Sequence, residues 1–213
     1  MPLKIVRPDI DNTHPNAEDI RTELVRERSI NNIIYQNEDI CELNDEYSTF
    51  NQCVFNHCRW TECHLKGVQM NDVVFDNCDL SNINLRECIF YRVEFINCKL
   101  MGTSFVGSSF KHVLFKACNC RFSNLSESKI KGVQLTDCDF MGGVFHYCKF
   151  DPIALDNCNL TEAEFFHTQL RNVDFRTSLI PGVTLNIPDL KGAIVTSLQA
   201  LDLTVLLGVV IKE

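Results

Sequence analysis

Val73-Val74-Phe75-Asp76-Asn77-Cys78-Asp79-Leu80 has a counterpart twenty residues away in both directions. Cys53-Val54-Phe55-Asn56-His57-Cys58-Arg59-Trp60 precedes it, and Val93-Glu94-Phe95-Ile96-Asn97-Cys98-Lys99-Leu100 follows. Segments beginning at Val113, Val133, Ile153 and Val173 continue the series. Inside each segment an apolar residue stands at every fifth position. From Phe50 to Leu190 all 29 positions divisible by five are apolar, and they hold 13 of the 15 Phe. Helices repeat every 3.6 residues and strands every two, so neither explains this spacing. A chain that turns a corner every five residues does: each side places one residue at the centre of a shared core.

The position two before each centre points inward as well. It holds compact residues such as Ser48, Cys53, Cys58, Cys63, Val68, Val73 and Cys78, and ten of the 12 Cys occupy this register. The other three positions of each five are mostly polar and form the outer surface. Five residues per side and a 20-residue echo give four sides per coil. Cys58, Cys78, Cys98, Cys118, Cys138 and Cys158 then stack as one internal ladder. Phe55, Phe75, Phe95 and Phe115 form another, continued by Leu135, Leu155 and Phe175. The expected fold is an all-β solenoid, a right-handed quadrilateral β-helix with a C-terminal α-helical cap. At strand spacing its seven coils span roughly 34 Å.

The pattern of a Leu or Phe centre, a small residue or Cys two before it, and Asn or Asp beside the small residue resembles the pentapeptide-repeat family. Asn77-Cys78-Asp79-Leu80, Asp137-Cys138-Asp139-Phe140 and Asn157-Cys158-Asn159-Leu160 carry the resemblance. On this reading residues 48–190 are a pentapeptide-repeat solenoid of about seven coils, and its register never slips. Residues 1–47 are an N-terminal polar helix and irregular capping segment. The helix runs from Pro15 to Arg28 with Asn12 or Thr13 near its start; Ile30, Tyr35 and Ile40 keep the five-residue register but Asp45 breaks it, so residues 29–47 read as an irregular first coil or cap. Residues 191–213 are a capping and dimerisation helix followed by a short strand. Thr196 or Ser197 serves as N-cap, and Gly208 ends the helix after Leu207. Leu198, Leu201 and Val205 form a stripe that can cover the last coil, widened by Ala200, Leu203 and Leu207. The surplus apolar width, with Val209, Val210 and Ile211, suits a two-fold contact between copies. The dimerisation set is therefore Leu198, Leu201, Leu203, Val205, Leu207, Val209 and Ile211. The bland alternative is that these residues only cap the coil.

The net charge of −8 argues against direct nucleic-acid binding, which needs a basic excess. No apolar run reaches the length of a membrane span, and the N-terminus lacks a signal-peptide core, so a cytoplasmic location without membrane partners is expected. In that reducing setting the cysteines read as buried structural thiols. Each of Cys53, Cys58 and Cys63 lies on a different side, which disfavours a metal centre. His57, His64, His112, His146 and His167 fall at outward positions without a nucleophile or repeated carboxylate beside them. No catalytic residues, cofactors or metals are expected.

Charge is sorted by side. Residues 1–47 hold 11 acids and 5 bases, whereas residues 48–190 hold 15 acids and 13 bases. The side centred on Phe55, Phe75 and Phe95 carries Asp76, Glu94, Asp137, Asp156 and Asp174 against Lys116 and Arg176. This acidic column is the candidate partner-binding site, suited to a basic groove. The side centred on Phe90, Phe110 and Ile130 carries Arg92, Lys111, Lys129, Lys131, Lys149 and Arg171 against Asp72, Asp151 and Asp189. The C-terminal segment Asp189-Leu190-Lys191-Gly192-Ala193-Ile194, with Gln199 and Leu206 to Ile211, is similar to the end of the quinolone-resistance (Qnr) members of the family. That resemblance implies a dimeric, DNA-mimicking binder of type II topoisomerase (DNA gyrase or topoisomerase IV) that shields the enzyme from quinolones. The loops of some Qnr proteins are absent here, so the chain resembles the loop-free members. The alternative is a structural or adaptor solenoid with a different protein partner.

Overall fold

The computed structural model describes residues 3–11, 13–15, 19–210 and 212. Its centre is a right-handed β-solenoid. Among the described residues, ten strands form one parallel sheet. The strands spanning Thr49–Asn56, Gln69–Asp76, Ile89–Ile96, Ser109–Lys116 and Lys129–Thr136 stack in register, residue upon residue twenty later. Each bends through a corner and so covers two adjacent sides, called here the Phe90 face and the Phe95 face. On the other two sides, the Leu100 and Phe105 faces, successive coils meet through single bridges such as Asp79 with Lys99 and Asn84 with Ser104.

The two inward positions behave as the register requires. Phe55, Phe75, Phe95 and Phe115 are buried and stack with centroids 5.0, 5.0 and 4.7 Å apart, and their rings lie within 13° of parallel. Tyr35 extends the ladder downward at 5.2 Å from Phe55. The compact position has a chemical reason beyond size. Cys78 Sγ donates to the Phe55 carbonyl (3.2 Å) and Cys98 Sγ to the Phe75 carbonyl (3.3 Å). Ser108 Oγ donates to Leu85 O (2.9 Å) and Ser128 Oγ to Phe105 O (3.0 Å) in the same geometry. A thiol or hydroxyl there satisfies a buried carbonyl of the coil below. Where the strand runs continuously through its corner, Val73, Val93, Val113 and Val133 take the position instead.

The corners themselves use left-handed backbone. Asn77, Asn82, Asn97, Asp137 and Asn157 have φ between 51° and 59°, and Gly102, Gly107 and Gly132 have φ of 68°, 73° and 63°. Asn, Asp and Gly enter this region at least cost, which accounts for their frequency just before the inward small residues, although Glu87, Ala117, Phe122 and Glu127 adopt it as well.

Pairing begins a coil before Ser48, in the segment whose Ile30, Tyr35 and Ile40 already keep the five-residue register. Ser29, Ile34, Ile40 and Asp45 pair with Thr49, Val54, Trp60 and Leu65. Residues 29–47 are therefore a regular first coil. Asp45 keeps its central place in the register because an end coil has core on one side only. A cleft of about 460 Å³ beside it is lined by Arg21, Leu24 and Arg28. The N-terminal helix α1 is also shorter than expected, Ile20–Glu27. His14–Pro15 are drawn into a parallel pair with Ile33–Ile34, and Asp19 caps the helix by accepting from the Arg21 amide. The expected start at Asn12 lies outside the described residues. Ile20 and Leu24 turn onto the core.

At the other end α2 spans Ser197–Leu203 with Thr196 as its N-cap, and a 3₁₀ turn follows over Thr204–Leu207. Gly208 closes it with φ 70°. Thr196 and Gln199 form a reciprocal capping box. Gln199 is buried, and its Nε2 donates to the carbonyls of Phe175 and Ser178, both at 2.8 Å. That side chain satisfies main-chain groups that the last coil leaves open. The apolar contacts of the cap are Val195, Leu203 and Leu206. The expected stripe of Leu198, Leu201 and Val205 faces outward instead. Tightening from 3.6 to three residues per turn after Leu203 brings Leu206 back over the core.

Candidate functional site

The outer faces are the surfaces this rod offers. The interior is filled by the ladders, and burial pushes the thiols of Cys53, Cys88 and Cys148 up to about 12. Among the described residues no group of His, Cys, Asp or Glu is arranged to hold a metal ion. No helix among them is long and apolar enough to cross a membrane.

The five acidic residues read from the sequence do not form one presented column. On the Phe95 face, the outward ladder before each centre reads Val54, Val74, Glu94, Leu114, Gln134, Ala154 and Asp174. It is largely apolar, and the N-terminal segment lies along it. Leu3 O accepts a hydrogen bond from Gln134 Nε2. Arg7 grips Glu94 with two hydrogen bonds, Nε to Oε1 at 2.6 Å and Nη2 to Oε2 at 2.7 Å. The Asp9 amide donates to Asp72 Oδ1 at 2.9 Å. The segment thus runs along the rod axis as a strap, ending at His14–Pro15. Under it Glu94 is only 2% exposed, and it is withdrawn from the candidate site.

The remaining four acids differ among themselves. Asp174 is held by Arg176 at 2.7 Å, which keeps its carboxyl below the usual range. Asp137 accepts from Asn157 Nδ2 at 2.7 Å and is exposed, as is Asp156. Asp76 accepts from Asn77 Nδ2 at 2.9 Å and is half-buried. Asp137 and Asp156 therefore make an acidic edge on the C-terminal half of the face, and Asp76 stands apart from them nearer the N-terminal end.

The Phe90 face is the opposite case. Asp72 and Asp189 are buried there, the first against Arg92 (2.6 Å) and the second against Gln169 (2.5 Å). What remains outside is Lys111, Lys129, Lys131, Lys149, Arg171 and Lys191, with Asp151 as the exposed acid. Lys111 stacks on Lys131 and Lys129 on Lys149 in direct strand register. The face presents fewer acids than the sequence count implied, because two of its three acids are covered by polar neighbours, Asp72 by Arg92 and the Asp9 amide and Asp189 by Gln169 and Asn186.

The proposed dimerisation residues divide too. Leu198 and Val205 are 76% and 73% exposed, and Leu201, Leu207 and Val209 are exposed with them. Leu203 is turned onto the last coil, and Ile211 lies outside the described residues. Val210, at 78% exposure, joins the patch.

No curated protein matches the chain. A trypsin-treated variant of QnrB1, a plasmid-mediated fluoroquinolone resistance protein, is 18% identical in sequence. The alignment covers 84% of this chain and 99% of QnrB1, with a TM-score of 0.43. HetL, involved in heterocyst differentiation regulation in the cyanobacterium Nostoc, is 14% identical. It aligns over 82% of this chain and 97% of its own, with a TM-score of 0.39. A protein of the Arabidopsis thaliana thylakoid lumen is 20% identical over 45% of this chain and 63% of its own, TM-score 0.28. A family model for a pentapeptide repeat region matches residues 68–141, and one for pentapeptide repeats matches residues 48–82 and 144–176. These are the same coils that the strand pairing defines, and the chain belongs to the pentapeptide-repeat family.

Proposed function

We propose that this solenoid is a non-enzymatic, cytoplasmic recognition rod that binds a type II topoisomerase, DNA gyrase or topoisomerase IV, and modulates its handling of DNA. The observation that carries the reading is the sorting of charge by face. A rod with a packed interior interacts through its sides, and one side carries an acidic edge at Asp137 and Asp156 with Asp76 further along. The similarity of the C-terminal segment to Qnr proteins names the enzyme class and suggests protection from quinolones. The exposed Leu198, Leu201, Val205, Leu207 and Val209 support a homodimer through the C-terminal cap, which would align two acidic edges along one longer rod.

A supercoiling assay with purified gyrase, with and without ciprofloxacin, tests this. The chain should inhibit supercoiling or relieve the drug's effect. Replacing Asp137→Lys and Asp156→Lys together should weaken the effect about five-fold or more. No effect of the unmodified chain on either topoisomerase would sink the reading. A pull-down that recovers a defined protein without a topoisomerase subunit would favour the adaptor alternative. Sedimentation of the unmodified chain and of Leu201→Asp reads the oligomeric state: a dimer lost in the variant supports the C-terminal contact.

A further inference from the structure

The strap poses a problem of occupancy. Glu94 is the one acid in an otherwise uncharged outward run from Val54 to Ala154, and it is buried where Arg7 of residues 3–11 lies over it. A carboxylate is costly to bury without a cation. Arg7 supplies one, with paired hydrogen bonds of 2.6 and 2.7 Å. Yet Arg7 itself is 72% exposed, so the grip is open to water. The strap also crosses the strands rather than joining them. Before His14, the main-chain bonds described between strap and solenoid are those of Leu3 O and Asp9 N. A cleft of about 410 Å³ remains between Leu3, Ile5 and Arg7 on one side and Ile96, Leu114 and Gln134 on the other. The face is thus shaped for an extended segment, carries Glu94 with Lys116 at the rim of the same cleft, and is under-filled by the segment that occupies it.

We propose that the Phe95 face beneath the strap is a groove for an extended segment of a partner protein. That segment has bulky aliphatic or aromatic side chains at alternate positions, followed two residues later by arginine, and residues 3–11 are an intramolecular competitor for it. The strap's own Leu3-x-Ile5-x-Arg7 pattern defines the chemistry. Arginine meets Glu94, the alternate apolar residues lie on Ile96 and Leu114, and side chains larger than Leu3 and Ile5 fill the cleft. Binding requires the strap to leave, so apparent affinity is lowered by the fraction of chains in which it is closed. Here the groove is distinct from the exposed Asp137 and Asp156 edge.

The test uses the full chain and a fluorescent peptide of residues Leu3–Asp11, read by anisotropy with no topoisomerase present, so its outcome is separable from the supercoiling assay. In the Arg7→Glu chain the strap loses its partner, and the peptide should bind about ten-fold more tightly than to the unmodified chain. Adding Glu94→Gln to that chain should abolish the gain, and the peptide carrying Ile5→Phe should bind more tightly than the native peptide. Equal binding by the unmodified and Arg7→Glu chains, or no binding by either, overturns the proposal. Hydrogen exchange on the unmodified chain gives a second measurement that needs no variant. The Asp9 amide should exchange about 100-fold faster than the strand amides at Val93 and Val113, and equal protection would mean a permanently closed strap. A dimer of the unmodified chain that the peptide dissociates would assign the groove to a second copy's strap and overturn the foreign partner.

Discussion

The Phe90 and Phe95 faces are two halves of one bent sheet, joined at a corner, and they treat charge in opposite ways. The Phe95 face hides its central acid under a strap and ties Asp174 to Arg176. The Phe90 face buries two acids and leaves lysines stacked on lysines. The same ladders also place opposite charges one above the other, as with Arg92 and Asp72 or Lys131 and Asp151 on the Phe90 face and Lys99 and Asp79 at 3.6 Å on the Leu100 face. Like charges one coil apart oppose each other by on the order of 0.8 kcal/mol in water. The lesson is that the backbone enforces identical geometry on both faces, so their difference resides wholly in the outward side chains. Shape is common to the faces, and partner choice is set by what each carries outside.

The largest expected effect is one that should not distinguish them. Phe95→Ala and Phe110→Ala remove equivalent buried rings from the two faces, and each should cost about 3–5 kcal/mol in urea unfolding. A markedly smaller loss for one would show that the faces do not share a core. Next is the corner between them. Gly132 has φ 63°, and a Cβ there would sit 3.3 Å from His112 Nδ1. Gly132→Val should cost about 1–2 kcal/mol, because a β-branched residue is strained in the left-handed region. No loss in thermal denaturation would mean that the corner relaxes and the faces hinge.

Smaller still is the charge contrast. Lys129→Glu replaces a lysine stacked on Lys149 by an opposite charge, and should stabilise by about 0.5–1 kcal/mol at low salt. The gain should vanish near 1 M salt. Glu94→Gln, beneath the strap, should be insensitive to salt by comparison. The smallest expected effect is none. Cys88 lies behind the Phe90 face and Cys53 behind the Phe95 face, both with thiols pushed up to about 12. At pH 9 only about one in a thousand would be thiolate, so neither should react with a thiol reagent in the folded chain. Exposed Cys41 serves as the internal positive control. Reaction of Cys88 alone would mark the uncovered face as the one that opens.

The solenoid was legible because its periodicity is local. Phe75 and Phe95 announce the same site without reference to anything distant. The first coil was obscured by Asp45, an acid at a central position, since sequence periodicity does not reveal that an end coil borders a cleft. At the C-terminus a helix follows Thr196 as expected, but it gives way to a 3₁₀ turn after Leu203, Val209 and Val210 of the expected strand are irregular, and the inward face differs. Gln199 is polar yet buried, and the switch to a 3₁₀ turn after Leu203 changes which leucines face the core. The strap was the least legible part. Residues 3–11 have no period, and their contacts with Asp72, Glu94 and Gln134 span 63, 87 and 131 residues. One trace was available: Glu94 alone among Val54, Val74, Leu114 and Ala154 asks for a covering cation.

Those long spans impose an order of events during synthesis. The strap leaves the ribosome before the coils it lies on, whereas its furthest docking point, Gln134, is made 131 residues after Leu3. At roughly 5–20 residues per second, the nascent strap waits about 7–26 s without its complete site. Coils can stack one by one in that interval, because each needs only its predecessor. The strap docks after the coils although it is made before them, and its closure reports that the coils through Gln134 have been built.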